Sequence, residues 1–321
     1  AKDLREALNI LDPERPLETK EELDAFFVQR PMSPLEDLIL SLEYASDCQK
    51  ILFTGHRGSG KSTELAKLTQ LLGEDFFIIR YSVQRILNLF DLTYLDVLVS
   101  LGLQLFKKAT EQQVEVRDDV LNHILAFTKD ISTETEITSK TDTGLGASLN
   151  FLAGKLSAKM GTEDATREIV REKVSRRLSD LVEAIDILSQ EVESDKGRRV
   201  LFVVEDIDKA DLETAKHLFY DHAASLLAPP VSVIYTFPTA LRKDNDFMQI
   251  QNNVSQCYPL PNIKTRSRDG SGDQEGLDQL RTLLTRRVEE KLIEPQAMSE
   301  LARLSGGIPR ELITLSRQAS L

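Results

Sequence analysis

Apolar residues fall along this chain in two rhythms, short runs, continuous at Val200 to Val204 and Val231 to Phe237, and longer stripes spaced by threes and fours. The runs are Ile51 to Thr54, Phe76 to Val83, Val200 to Val204 and Val231 to Phe237, with Gln256 to Leu260 as an edge candidate. Unbroken apolar runs suit parallel strands that are covered on both faces. The stripes predict helices. Leu35, Leu38, Ile39 and Leu42 form one face behind Ser33 as N-cap, Pro34 in the first turn and Glu36 closing a capping box. Leu65, Leu68 and Leu72 continue a helix that stops at Gly73, and Asp91 opens another carrying Leu95, Leu98 and Leu105. A single long helix is expected through Val170, Val174, Leu178, Leu181, Ile185, Leu188 and Val192. Its heptad-like stripe suits packing on its own domain or a coiled-coil seam. Beyond the polar, locally basic linker Lys264 to Asp273, only helical patterns remain: Leu277 to Ile293, Pro295 to Leu304, and a last helix opened by Gly306, Gly307 and Pro309. Strands alternating with helices, then helices alone, predict an α/β fold, a doubly wound parallel sheet with a C-terminal helical lid. The expected organisation is a helical lead-in over 1–49, a core over 50–263 and a lid over 264–321. Within the core, the Ser-, Thr- and Gly-rich stretch 131–162 reads as an insertion, mobile or ordered by a partner.

The first run leads directly into Gly55-His56-Arg57-Gly58-Ser59-Gly60-Lys61-Ser62-Thr63, which fits G-x-x-x-x-G-K-[ST]. A strand, a glycine-rich loop and a helix start form a phosphate cradle. The glycines let successive N–H groups converge, and the helix N-terminus adds partial positive charge. In that reading Gly55 to Thr63 wrap the phosphates of ATP, Lys61 reaches the β- and γ-phosphates, and the Ser62 hydroxyl completes the shell of Mg²⁺. A plain glycine-rich strand-to-helix turn would have no use for Lys61 and Ser62 together. The core is therefore expected to be a P-loop nucleotide-binding core.

Composition narrows the picture further. A formal net charge of −12 across 321 residues argues against a general nucleic-acid or membrane coat while leaving a local basic patch open. Cys48 and Cys257 form neither a metal spacing nor a disulfide framework, which fits a reducing cytoplasm. No apolar stretch is long enough to span a bilayer, so no membrane role is expected. His217 and His222 stand five apart, off a common helical face, which argues against a histidine metal site.

A phosphate loop alone does not separate a binder from a hydrolase, so acids near it matter. Glu205-Asp206-Ile207-Asp208 follows the apolar run Val200 to Val204 at the carboxyl end, where ligands sit in open α/β sheets. One carboxylate there suits the Mg²⁺ shell and a second the attacking water, although a solvated acidic turn would look the same. Thr236, near the tip of the next run, offers a hydroxyl toward a γ-phosphate or water. Arg310 stands in the first turn of the last helix, where the dipole disfavours a cation. That placement suggests a nearby anion; pairing with Glu311 or Glu300 is the plain alternative.

These segments in this order, ILFTGHRGSGKST, LFVVEDID, VIYTFP and LSGGIPREL, resemble the AAA+ ATPases, and within them the group shared by origin-recognition ATPases and STAND signalling ATPases. The resemblance runs from about Phe27 to the end, the insertion aside. It implies Walker A at the loop and Walker B at the acids, with Glu205 where the Mg²⁺-shell Asp stands, acting through water, and Asp206 where the catalytic Glu stands. It further implies Thr236 as sensor 1, Arg310 as sensor 2, and Val28 and Arg30 of FFVQRP in the stretch lining the adenine pocket. The order Glu-Asp departs from the commoner Asp-Glu; a shorter acid at the water position implies slow hydrolysis. An arginine finger has no clear signature, Arg242 being the one suggestion. The function implied is an ATP-driven conformational or assembly switch, alternating between ATP and ADP and acting through self-association or a protein effector. The alternatives are a nucleic-acid loader or remodeller, favoured only by the lid signature and lacking a basic recognition helix, and a small-molecule kinase, for which no acceptor motif stands out.

Overall fold

The computed structural model describes residues 1, 3–131 and 145–320, the side chains of 145–152 excepted. Its centre is one five-stranded, all-parallel sheet. The strands are β1 (Lys50–Gly55), β2 (Phe76–Ser82), β3 (Arg199–Glu205), β4 (Ser232–Phe237) and β5 (Gln256–Leu260). They lie in the order β2-β3-β4-β1-β5, so β2 and β5 are the edges. β2 pairs with β3 in register from Phe76 opposite Arg199 to Ser82 opposite Glu205, and β3 pairs with β4 from Leu201 opposite Ser232. β3 is buried at every position after Arg199, as its unbroken apolar run requires. The α/β class and the parallel sheet agree with the sequence reading.

The chain divides into two compact units, neither of them continuous in sequence. One comprises Ala1–Tyr44, Phe53–Leu71 and Tyr258–Leu321; the other comprises Ala45–Leu52 and Leu72–Cys257. The second unit has the larger apolar core, built from β2, β3 and β4 and from helices Tyr94–Glu111, Asp118–Ile131 and Leu178–Lys196. Several local expectations change here. The residues from Leu145 to Thr162 form a helix that buries Ala153, Leu156 and Met160 in this core, so that part of the stretch 131–162 is packed by its own unit. Residues 132–144 of it lie outside the described residues. The long stripe is two helices, Asp164–Ser175 and Leu178–Lys196. They part at Arg176 and Arg177, where the Arg177 side chain turns to Asp130 and Asp180 and lies over the Phe127 ring. Val170, Val174, Leu181, Ile185, Leu188 and Val192 are buried against the unit's own core rather than presented as a seam. The helix expected at Asp91 instead starts at Tyr94, where Thr93 and Asp96 make a reciprocal capping box. His217 and His222 do share a face. A π turn lets the His222 N–H donate to the His217 carbonyl at 3.1 Å, and their rings stand 4.3 Å apart, edge to face.

The first unit holds a smaller core of Ala7, Leu11, Leu280, Leu284, Ala302 and Leu312 with their neighbours, built by helices Leu4–Ile10, Gln274–Thr285, Pro295–Leu304 and Pro309–Ala319. The turn Gly306-Gly307 joins the last two. Gly307 has φ +81°, its carbonyl accepts the Ile263 N–H at 2.9 Å, and a Cβ there would stand 1.7 Å from the Ile263 carbonyl oxygen. Gly307→Ala is therefore expected to lower the unfolding free energy by roughly 2–4 kcal/mol, combining left-handed strain with forced backbone separation. Gly306, at φ +60° with open space around its Cβ position, should cost only about 1 kcal/mol on the same change. Denaturant midpoints of the two variants would check the difference; equal losses would show that the Ile263 contact yields freely.

No helix among the described residues is long and apolar enough to cross a membrane.

Candidate functional site: the glycine loop and its surroundings

β1 ends at Gly55, and the helix Lys61–Leu71 begins immediately after the loop His56 to Gly60. Gly58 and Gly60 take φ +81° and +96°, a left-handed region that a side chain enters only with strain. The two glycines thus put a left-handed turn on either side of Ser59. The Ser59 N–H closes the loop on the His56 carbonyl at 3.1 Å. Ser59 is buried, and its Oγ has no hydrogen-bond partner among the described residues. His56 and Arg57 are exposed, while Ser62 and Thr63, in the first helical turn, are half-buried. Lys61 is 9% exposed and folds back over the loop, its ammonium donating to the Gly55 carbonyl at 2.8 Å and the His56 carbonyl at 3.2 Å.

Two further parts of this unit touch the loop. The Arg310 backbone N–H, in the first turn of Pro309–Ala319, donates to the Gly58 carbonyl at 3.2 Å. One of the helix's unsatisfied donors is thus capped by the loop itself. The Arg310 guanidinium makes no ion pair or hydrogen bond among the described residues, and Glu300 is taken by Arg303 at 2.7 Å. The paired alternative for Arg310 therefore loses one of its two acids. On another side, Arg30 donates from Nη2 to the Ser59 carbonyl at 2.7 Å, and its Nε faces Glu64 Oε1 at 3.2 Å. Glu64 is 2% exposed and also receives the Ser33 hydroxyl at 2.9 Å. Burial pushes the Glu64 carboxyl up, while Arg30 and Ser33 pull it down; burial likewise pushes the Arg30 guanidinium down, against Glu64. Both directions report the same desolvated pair. Ser33 keeps part of its expected capping role: its Oγ accepts the Leu35 N–H at the helix start at 3.3 Å while its hydroxyl donates to Glu64, although the N-cap position itself falls on Pro34 and Glu36 closes no box with it.

Arg30 also lines a cleft of about 140 Å³ with Pro31, Met32, Leu260, Asn262 and Gln279 among others. Asn262 Oδ1 is buried there with no hydrogen-bond partner among the described residues. Val28 does not line the cleft; it packs on the small apolar core of the same unit.

The acids lie in the other unit. Glu205, the last residue of β3, is 6% exposed and pairs through Oε1 with Arg80 Nε of β2 at 2.5 Å. Asp206 has φ +71°, so the chain turns sharply after the strand. Its carboxylate accepts from the Ser82 hydroxyl at 2.5 Å and pairs with Lys209 at 2.8 Å. Thr236 is buried in β4, and its hydroxyl has no partner among the described residues. Arg242 is exposed in the short turn Thr239–Lys243, its guanidinium 6.0 Å from the Phe247 ring centre.

The partners of these groups went unread in the sequence. Arg80 carried a signal, as a charge inside the apolar strand FFIIRYS, and Glu64 another, as an acid three residues past Lys61 in the buried first turn. Asn262 carried none. Comparison with known protein-family models and with curated proteins finds no match to this chain.

Proposed function

We propose that this chain is a P-loop ATPase of the AAA+/STAND kind, which binds ATP with Mg²⁺ at the loop Gly55 to Thr63 and works as a slowly hydrolysing conformational switch. The observation that carries the reading is the loop itself: left-handed Gly58 and Gly60 between a parallel strand and a helix start, with the buried Lys61 ammonium folded over it. That arrangement concentrates N–H donors and one fixed cation, and nothing in packing alone calls for a buried lysine there. The orphaned Ser59 Oγ fits an anionic guest, while the glycines make room for the protein's own Leu260, Ile308, Arg310 and Arg30 against the loop. Ser62 is the hard oxygen donor suited to Mg²⁺, whose remaining ligands would be phosphate and water oxygens. Bound Mg²⁺ neutralises phosphate charge. The cleft beside Arg30, apolar at Pro31, Met32 and Leu260 and polar at Asn262, suits a purine base. The resemblance to the AAA+ ATPases is what suggests Glu205 for the Mg²⁺ outer shell, Asp206 for the attacking water and Thr236 for sensing.

The switch reading rests on Arg310. Its backbone caps the loop at Gly58 while its guanidinium makes no ion pair among the described residues, so the loop and the last helix are mechanically joined and a cation is held in reserve for added charge. Arg310→Ala is expected to weaken ATP binding about tenfold and ADP binding far less, since only ATP brings a γ-phosphate. Calorimetric titration of both nucleotides, with Mg²⁺, tests this. Equal losses for ATP and ADP would make Arg310 a structural residue, and no Mg²⁺-dependent binding of either nucleotide by the unmutated chain would end the whole reading.

A further inference from the structure

We infer that Arg30 is a positioning residue for the phosphate loop, acting through the Ser59–Gly60 peptide and held in place by Glu64 and Ser33, rather than a contact to the base. The inference rests on reading the loop as a phosphate site. Its ground is peptide geometry. The Ser59 carbonyl and the Gly60 N–H belong to one planar trans unit and point in opposite directions. Arg30 Nη2 holds that carbonyl at 2.7 Å, so the Gly60 N–H is turned away from Arg30 and kept available as a donor. Without this bond the unit could rotate and present its oxygen, repelling an anion, where the loop needs hydrogen.

Three further observations show how firmly the arrangement is built. A Cβ on Gly60 would stand 2.5 Å from Arg30 Nη2, so the glycine leaves room for the guanidinium as well as supplying its left-handed φ of +96°. Arg30 also reaches the Pro261 carbonyl from Nη1 at 3.5 Å, a longer contact that completes its fork. Finally, Glu64 is buried where an isolated carboxylate would be costly; its Oε1 faces Arg30 Nε at 3.2 Å as an ion pair outside hydrogen-bond geometry, and its Oε2 accepts the Ser33 hydroxyl at 2.9 Å. Glu64 sits in the first turn of the helix that the loop leads into, so the clamp ties the loop's end to the helix start. Its acid fixes the arginine, the arginine fixes the peptide, and the peptide presents the donor.

A ligand with phosphates and no base separates this role from a base contact. Wild type, Arg30→Ala, Arg30→Lys and Glu64→Gln would be titrated with Mg²⁺·ATP and with Mg²⁺·tripolyphosphate, with thermal unfolding recorded beside each. Arg30→Ala is expected to weaken both ligands alike, roughly 10- to 100-fold, the weight of one or two charge-assisted hydrogen bonds. Glu64→Gln should weaken both by a smaller common factor. Arg30→Lys should fail to restore binding, because an ammonium lacks the fork that spans a carbonyl and a carboxylate together. A loss confined to ATP would overturn the inference and return Arg30 to the base, and unchanged binding of both ligands would overturn it as well. Should Arg30→Ala not fold, Glu64→Gln decides alone: a common loss upholds the clamp and unchanged affinities refute it. A wild-type chain that binds neither ligand would instead refute the phosphate site itself, and this inference with it.

Discussion

Lys61→Ala is expected to abolish measurable ATP binding, a loss of at least about 100-fold, while leaving the fold in place. The ammonium is nearly buried and anchored by the Gly55 and His56 carbonyls, so its position is set by the loop before any ligand arrives. A cation fixed in that way loses little side-chain entropy on binding phosphate, and its contribution is correspondingly large. The cost to folding should be small. Alanine is the best helix former at the first position of Lys61–Leu71, and the two lost hydrogen bonds are offset by no longer desolvating an ammonium. Calorimetry with Mg²⁺·ATP beside denaturant unfolding tests both halves. Unchanged affinity in a folded variant would remove the central support for a nucleotide site.

Asp206→Asn is expected to reduce ATP turnover by about 100-fold or more while nucleotide affinity stays close to that of the unmutated chain. An amide cannot take a proton from water, whereas it matches the carboxylate in size. The substitution is unusually clean at this position. Asp206 holds a left-handed backbone, φ +71°, which asparagine adopts as readily. Its bond from the Ser82 hydroxyl can persist to the amide oxygen, and the pair with Lys209, whose side chain is 35% exposed, adds little stability. Glu205→Gln makes the informative contrast. It leaves Arg80, 19% exposed, beside a neutral partner in the buried sheet, so a measurable loss of stability should accompany any weakening of Mg²⁺-dependent binding. Single-turnover hydrolysis and binding in both variants separate the roles. Full turnover in Asp206→Asn would move the catalytic assignment to Asp208 or to a second copy of the chain.

Much of the fold was legible because its signals are local. All five strands were placed to within a residue or two; β3 and β4 were the plainest, since a strand buried on both faces leaves no polar position to confuse the pattern, whereas the edge strands β2 and β5 carry polar residues. The loop was legible for the same reason: Gly58 and Gly60 stand where φ is positive, and Lys61 opens the helix that follows. The candidate site was legible only as an inventory. That Arg30 would meet Ser59 and Glu64, that the Ser33 hydroxyl would also reach Glu64, and that Arg80 would take Glu205 all depend on segments far apart in sequence. Periodicity says which face of an element is buried and nothing of what lies opposite.

The sequence by itself thus determined the strands, the glycine loop, the glycine turn before the last helix and the α/β class, each of them a matter of backbone preference or one-sided burial within a few residues. Only the tertiary structure decided the rest. It split the stripe between Ser175 and Leu178, packed Leu145–Thr162 into a core, set His217 edge-on to His222 through a π turn, and chose the partners of buried charges such as Glu64 and Glu205. The physical reason is common to all four. A desolvated charge or a helix end settles on whichever partner the folded chain brings within reach, and that reach is fixed by packing between distant segments, which no local pattern encodes.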